Sequence, residues 1–451
     1  MSTDLTKGPV APHLRRQALP MAMGLVAIIS FDVVDLLFVS QLGDAQLAAI
    51  SFTFPVVWLL SSIIIGFEAG AASCISRAVG SNDIASARRQ TTDTAMLSFL
   101  VSVMLCAIGL MTIVPVFRML GGTDEVMPYI DDYMGIWYFS QPLSAVTWTC
   151  LASIRARGNT MLEGKIIVIA ALINAILDPL LIFGLLGFPR LGIAGAALAT
   201  LIACTLVLIG TLLYLHFKLR VFATPFTEFA NVWQSWRRML HIGLPAMMTN
   251  AIVPIANGIA VAMVATYGVD AVAGFGIGVR IEPLALIAFY ALSAVTSPFM
   301  GQNYAAHRYG RLEEARQVIG RFCLKYGLAM ALVVGAAAIP VTGYFSETAA
   351  IQAVAHEYLW IMGVSYGGYG VVMAMCAAFN GVGSPLPGLV ISTSRAMLVF
   401  LPLAIAGQWL IGLNGIFIAS ATSNIVLGVL AFIWFGRHVR LHPKGGEPVL
   451  D

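Results

Sequence analysis

Twelve stretches of this chain are apolar for long enough to cross a lipid bilayer: residues 17–41, 49–77, 92–117, 128–154, 163–187, 192–216, 240–267, 271–300, 318–343, 351–379, 386–411 and 414–436. A spanning helix needs about 20 mostly apolar residues, because in hydrocarbon each backbone N–H and C=O must find its partner within the segment itself. Of the 451 residues only 10% are charged, against about 25% in soluble domains. The expected fold is an all-α membrane protein of twelve transmembrane helices with nothing large outside the bilayer. The first stretch follows Arg15 and Arg16, as a signal peptide would, but its apolar run exceeds the core of about 7–15 residues typical of such peptides. It is expected to remain as the first helix.

Charge placement orients the chain. Lys7, Arg15 and Arg16 precede helix 1; Arg77, Arg88 and Arg89 follow helix 2; Arg155, Arg157 and Lys165 flank the helix 4–5 loop. Lys218, Arg220, Arg237 and Arg238 lie between helices 6 and 7, Arg308, Arg311, Arg316 and Arg321 follow helix 8, and Arg437, Arg440 and Lys444 end the chain. The opposite loops hold Arg118 and Arg190 among acids such as Asp124, Glu125, Asp131, Asp132 and Glu347. By the positive-inside rule both termini are cytoplasmic. Since each basic cluster sits where orientation requires one, no nucleic-acid partner is expected. The six cysteines (Cys74, Cys106, Cys150, Cys204, Cys323, Cys376) fall inside predicted helices without ligand spacing, so ordinary packing is expected and no metal.

The chain repeats itself. LPMAMGLVAIISFDVVDLLFVSQLGDAQLAA (19–49) lies on LPAMMTNAIVPIANGIAVAMVATYGVDAVAG (244–274) at an offset of 225, pairing Pro20 with Pro245 and Gly43 with Gly268. GIAGAALAT (192–200) lies on GIFIASATS (415–423) at an offset of 223. Two six-helix lobes follow: an N-lobe over 1–222 and a C-lobe over 241–451, joined over 223–240 by an interfacial helix carrying Trp233 and Trp236 beside Arg237 and Arg238. Six is even, so the halves enter the membrane in the same direction and are related by a pseudo-twofold along its normal. Two like lobes around a central cleft suit alternating access.

The repeat breaks at its carboxylates. Asp35 pairs with Ala260, and Asp178 with Leu403, so whatever these acids do belongs to the N-lobe. An intramembrane Asp is disfavoured by about 2.5–3.5 kcal/mol and faces a cavity or partner. Asp178 lies roughly 20 Å along its helix from Lys165, and Asp35 about 22 Å from Pro20, so the two can share one depth. Asn174 precedes Asp178 by four residues on the same face, and Pro179 frees the carbonyl of Ala175. Asp32 precedes Asp35 by three. Carboxyl groups crowded in a low dielectric cannot all stay ionised, and they exchange protons as a coupled set. The rival reading is a purely structural pair of acids held by hydrogen bonds. Accessory candidates are Pro20, a hinge or fixed bend in the helix that bears Asp35, and Glu68, either a gate or a paired structural acid. Arg280 is expected to anchor a helix contact and to be the only clear cation inside the C-lobe. The glycines of GFEAG (66–70), GFGIG (274–278) and GVSYGGYG (363–370) are expected to let helices approach closely.

VDLLFVSQLGDAQLAA (34–49), SRAVGSND (76–83), RARGNT (155–160), NAILDPLLIFG (174–184), GIAGAALAT (192–200) and GQN (301–303) together resemble the multidrug and toxic compound extrusion family, in its DinF-type branch, over essentially the whole chain. The resemblance implies twelve helices in two lobes that export cationic and amphipathic compounds against a proton or sodium gradient. The expectation is an antiporter of the bacterial inner membrane exporting lipophilic cations, a monomer with no cofactor beyond a coupling ion. The resemblance also implies an N-lobe ion site at Asp35, Asn174 and Asp178, with Thr200 contributed by helix 6. Asp32 departs from the family pattern, where Asn is common. Helices 7 and 10 hold no acid over 241–267 and 358–381, so the C-lobe site of the sodium-coupled branch is not expected. Protons are the expected coupling ion. The alternatives are sodium at the same N-lobe oxygens and flipping of a lipid-linked precursor. An intramembrane enzyme is not expected: no GxGD motif surrounds either Asp, and His13, His216, His241, His307, His356, His438 and His442 cluster at helix ends or outside.

Overall fold

The computed structural model describes residues 4–224 and 229–441. They form twelve long helices: α1 Val10–Ser40, α2 Asp44–Gly80, α3 Ile84–Met119, α4 Met127–Ala156, α5 Thr160–Phe183, α6 Ile193–Leu219, α7 Phe229–Ala265, α8 Val269–Ala305, α9 Tyr309–Phe345, α10 Ala349–Gly381, α11 Leu386–Ile411 and α12 Leu413–Leu441. Among the described residues there is no strand, and each apolar stretch read from the sequence centres on one helix, the fifth (163–187) running four residues past the end of α5. Eleven of the twelve are long and apolar enough to span a membrane; α4, which opens with Asp131 and Asp132, is the exception.

The repeat is written into the helix boundaries, since α2 and α8, and likewise α3 and α9, start 225 residues apart. The turn before α2 and the turn before α8 each use a glycine at positive φ, Gly43 at 134° and Gly268 at 103°. A side chain there would meet the steric penalty that glycine escapes, so one tight turn explains the residue type at both places. Asp83 begins α3 by accepting a hydrogen bond from the Ser86 amide at 2.9 Å, and Asn159 begins α5 in the same way from Leu162 at 3.2 Å.

The helices divide into two compact units, and the division differs from the one expected. One unit comprises residues 19–247; the other comprises 5–18 together with everything from Met248 onward. The expected connecting helix at 223–240 is not a separate element. Residues 225–228 lie outside the described residues, and from Phe229 the chain runs on without interruption as α7. The reason is packing rather than turn chemistry. Trp236 donates from Nε1 to the Asp93 carbonyl at 2.8 Å, and Met239 is buried with Phe67 and Leu97. A Cβ on Gly70 would lie 2.7 Å from the Met239 carbonyl oxygen, and one on Gly66 would lie 2.8 Å from that of Gly243. Glycines of α2 thus let the opening half of α7 rest against its backbone.

In the second unit the start of the chain is anchored by the segment before α1 and the first turns of α1. Leu5, Val10 and Leu14 are buried. Gln302 Oε1 accepts from the Leu5 amide at 3.3 Å, and Asn303 Nδ2 donates to the Leu5 carbonyl at 3.2 Å. Arg311 donates to the Leu5 and Gly8 carbonyls and to Asn303 Oδ1. The GQN motif therefore holds the start of the chain.

Candidate functional site

In the first unit, α1, α4, α5 and α6 bring polar groups together at membrane depth. Two glycines set the distances. A Cβ on Gly164 of α5 would sit 2.5 Å from the Pro20 carbonyl oxygen, so α5 touches α1 where the proline interrupts it. A Cβ on Gly195 of α6 would sit 2.5 Å from the Leu181 carbonyl, so α6 lies against α5 close to Asp178. Asn174 Nδ2 then donates to Thr200 Oγ1 at 3.4 Å, and Thr200 donates in turn to the Ala196 carbonyl at 3.1 Å.

Asp178 is fully buried and faces Asp35, their carboxyl groups within hydrogen-bonding reach of each other. Both Asp178 oxygens, Oδ1 of Asp35 and Oδ1 of Asn174 are buried without a hydrogen-bond donor. Two deprotonated carboxylates offer only acceptors to each other. Oxygens crowded without a donor could hold a small positive charge, either a proton shared by the carboxyls or a hard cation bound by oxygen ligands. Asp32 is exposed and lies within electrostatic reach of Asp35.

Tyr133 of α4 went unrecognised in the sequence. It is buried within electrostatic reach of Asp35, Asp178 and Asp32, yet it sits in a run of aromatics, IDDYMGIWYF, where nothing distinguishes it from packing residues.

Glu68 is elsewhere. It pairs with Arg155 of α4, which also pairs with Glu163 of α5, and both Arg155 and Glu163 are buried. Of the two readings open for Glu68, the paired acid is the one found. Arg155 is correspondingly not the surface-orienting charge that its place beside a loop suggests; a buried guanidinium bridges three helices.

Arg280 is exposed on α8 of the second unit, and it is not that unit's only cation at membrane depth. Arg395 of α11 donates to Asn424 Oδ1 at 3.1 Å and lies over the ring of Tyr369 at 5.0 Å, while Glu282 accepts from the Tyr358 hydroxyl at 2.8 Å. Arg395 lies inside the apolar stretch 386–411, and the cost of a cation there is the signal that could have found it.

The MatE family model matches the chain twice, over residues 20–180 and 245–406. The chain belongs to the MatE family. It is 35% identical over 428 residues, 95% of each chain, to a protein of Shewanella oneidensis named FAD transporter. It is 26% identical to the probable multidrug resistance protein YoeA of Bacillus subtilis over 88% of each chain. In structure it is similar to the Vibrio cholerae MATE transporter VcmN in the bent form, with a TM-score of 0.90 and 28% identity over 96% of this chain and 97% of that one. The two stretches matched by the MatE model start 225 residues apart, so they are the two copies of the repeat. MatE proteins are transporters, and this one is a multi-pass membrane protein of the multidrug efflux class rather than an enzyme.

Proposed function

We propose that the protein is a secondary active exporter of amphipathic small molecules, lipophilic cations among them, driven by protons that bind at Asp35 and Asp178. The observation that carries this reading is the pair of facing carboxyl groups from α1 and α5, with three buried oxygens and no donor. A proton entering the pair removes one charge and supplies the missing donor, so the protonated and deprotonated states favour different positions of α1 relative to α5. Substrate binding that prefers the deprotonated arrangement then opposes proton binding through the same equilibrium. Each proton moving inward contributes about 2.3 kcal/mol per 100 mV, enough to sustain an export gradient. In this reading the protein is a monomer in a bacterial inner membrane with both termini in the cytoplasm, consistent with the basic loops. Asn174 and Thr200 keep the Asp178 face of α5 against α6.

Everted vesicles test it. Proton-driven dye export is expected to fall by about 10-fold or more in Asp178→Asn and in Asp35→Asn at normal expression; full export by both variants sinks the reading. A second reading, sodium at the same oxygens, is favoured by the donor set itself: carboxylates, an amide oxygen and a hydroxyl suit a hard cation. Export driven by an imposed sodium gradient and indifferent to a proton gradient selects it. The 35% identical relative named FAD transporter adds a flavin nucleotide to the substrates worth assaying first.

A further inference from the structure

The repeat breaks a second time at the turn before α9. Asn82 and Asp83 stand before α3, and His307 and Arg308 stand before α9, 225 residues further on. The backbone takes the same left-handed step at both, with Asn82 at φ 62° and His307 at φ 56°. The side chains differ in charge. Asp83 accepts from the Ser86 amide, whereas Arg308 makes no capping hydrogen bond and Arg311 stands where Ser86 would. A helix start carries partial positive charge, so acids are favoured in its first turn and basic residues are disfavoured. Membrane orientation asks only for basic residues somewhere in the loop. The first unit meets that demand with Arg77, Arg88 and Arg89 while keeping an acid at the cap.

A cavity of about 580 Å³ opens at this turn, built wholly from the second unit. Lys7, His307, Arg308 and Arg311 line it, and no Asp or Glu is among the lining residues. Lys7, His307 and Arg308 are exposed. Arg311 donates from Nε to Asn303 Oδ1 at 2.7 Å and from Nη2 to the Leu5 carbonyl at 2.9 Å. These neutral acceptors fix the guanidinium and leave its charge in place, and by holding the start of the chain they bring Lys7 to a turn of the opposite half. Neighbouring acids do not cancel the set. Glu313 is turned to Arg316 and Arg440. Asp4 and Glu314, which flank the cluster in sequence, bring two negative charges against the three of Lys7, Arg308 and Arg311, before His307 is counted.

We propose that this cavity binds a phosphate group, supplied by the headgroup of an anionic phospholipid or as free phosphate, with Lys7 and Arg308 as the residues that contact it. The lipid is the source the fold favours. Both α8 and α9 are long and apolar enough to span the membrane, so the turn between them lies at headgroup level, where basic clusters attract anionic lipid.

Purified full-length protein in neutral detergent is titrated with dioctanoyl phosphatidylglycerol, dioctanoyl phosphatidylcholine or inorganic phosphate, and binding is read from the rise in melting temperature. Phosphatidylglycerol stabilises the wild type at concentrations where phosphatidylcholine does nothing. Lys7→Gln and Arg308→Gln each weaken its binding by about 5-fold, and together by about 30-fold. Arg88→Gln, which removes one charge near the start of α3, leaves the affinity unchanged. Arg308→Asp copies the first unit: it abolishes the response yet raises the melting temperature without lipid, because it caps α9. An arginine that was merely structural would lose stability on that change. Should the double variant fail to fold, hydrogen exchange at residues 5–8 and 307–310 carries the test, slowing on addition of phosphatidylglycerol in the wild type and not in Lys7→Gln. Stabilisation by inorganic phosphate at equal concentration, lost in the same variants, assigns the site to free phosphate, and stabilisation by phosphatidylglycerol alone assigns it to the lipid. No stabilisation by either, an equal loss in Arg88→Gln, or an unchanged response in the double variant overturns the proposal.

Discussion

At the scale of single residues, the two buried charge clusters of the first unit do opposite things. The Asp35–Asp178 pair is short of donors, whereas Glu68, Arg155 and Glu163 pair opposite charges across α2, α4 and α5, leaving only Arg155 Nε and Glu163 Oε2 without partners. Truncating one partner of a buried ion pair leaves the rest uncompensated, at about 3–5 kcal/mol. Arg155→Met is therefore expected to lower the unfolding midpoint of the purified protein well below that of Asp178→Asn, which removes no hydrogen bond. A thermal melt in detergent checks this, and equal midpoints would contradict the assignment of roles. Asp35, Asn174 and Asp178 were legible in the sequence because an acid in an apolar run is expensive enough to need a reason. Arg155 and Arg395 were not. Arg155 borders a loop and Arg395 stands within the apolar stretch 386–411, and only the packing of distant helices reveals what each touches.

At the scale of helices, lengths were legible because the bilayer sets them, and ends because Asp83, Asn159, Gly43 and Gly268 are residues that begin helices or turn the chain. What composition hides is which glycine makes a contact. Gly66, Gly164 and Gly195 admit another backbone, while Gly210 and Gly258 face open space. Gly195→Val is expected to force α6 from α5 and destabilise the protein by about 1–3 kcal/mol, with export falling as Thr200 leaves Asn174. Gly210→Val, on the same helix, is expected to leave both stability and export near normal, and the paired melts and efflux assays check the contrast. The cap of α3 gives a pH dependence. The Ser86 hydroxyl and amide hold the Asp83 carboxyl below its ordinary range. A group whose value is lowered on folding stabilises above its unfolded value of about 4 and loses that contribution as pH falls through the folded one. Asp83→Ala is thus expected to lower the melting temperature slightly at pH 7, and the difference from wild type should vanish as the pH falls below 4.

At the scale of the molecule, the 225-residue repeat foretold twelve helices in two sets of six but not how they are shared out. Pattern matching aligns copies along the chain, whereas membership in a compact unit depends on contacts. Leu5–Ala18 belong with the second unit through Gln302, Asn303 and Arg311, and residues 229–247 belong with the first through Trp236, Met239 and the α2 glycines. Arg311→Gln with Asn303→Ala is expected to release the start of the chain, seen as faster hydrogen exchange at residues 5–9 with the exchange of α4 and α5 unchanged. Exchange that stays slow at 5–9 would show that Leu5, Val10 and Leu14 hold the segment without the polar contacts.

That sharing of helices bears on how such a protein can be divided and how it arose. Cut between the repeats, it would yield two fragments that each lack an opening piece present only on the other, so neither is a self-sufficient folding unit. Co-expressed fragments should rescue one another where either alone is degraded. An ancestor carrying a single copy would have faced the same deficit. It would have had to lend the opening of its first helix to a second copy and borrow one in return, an exchange that joining the two copies in one chain would make permanent.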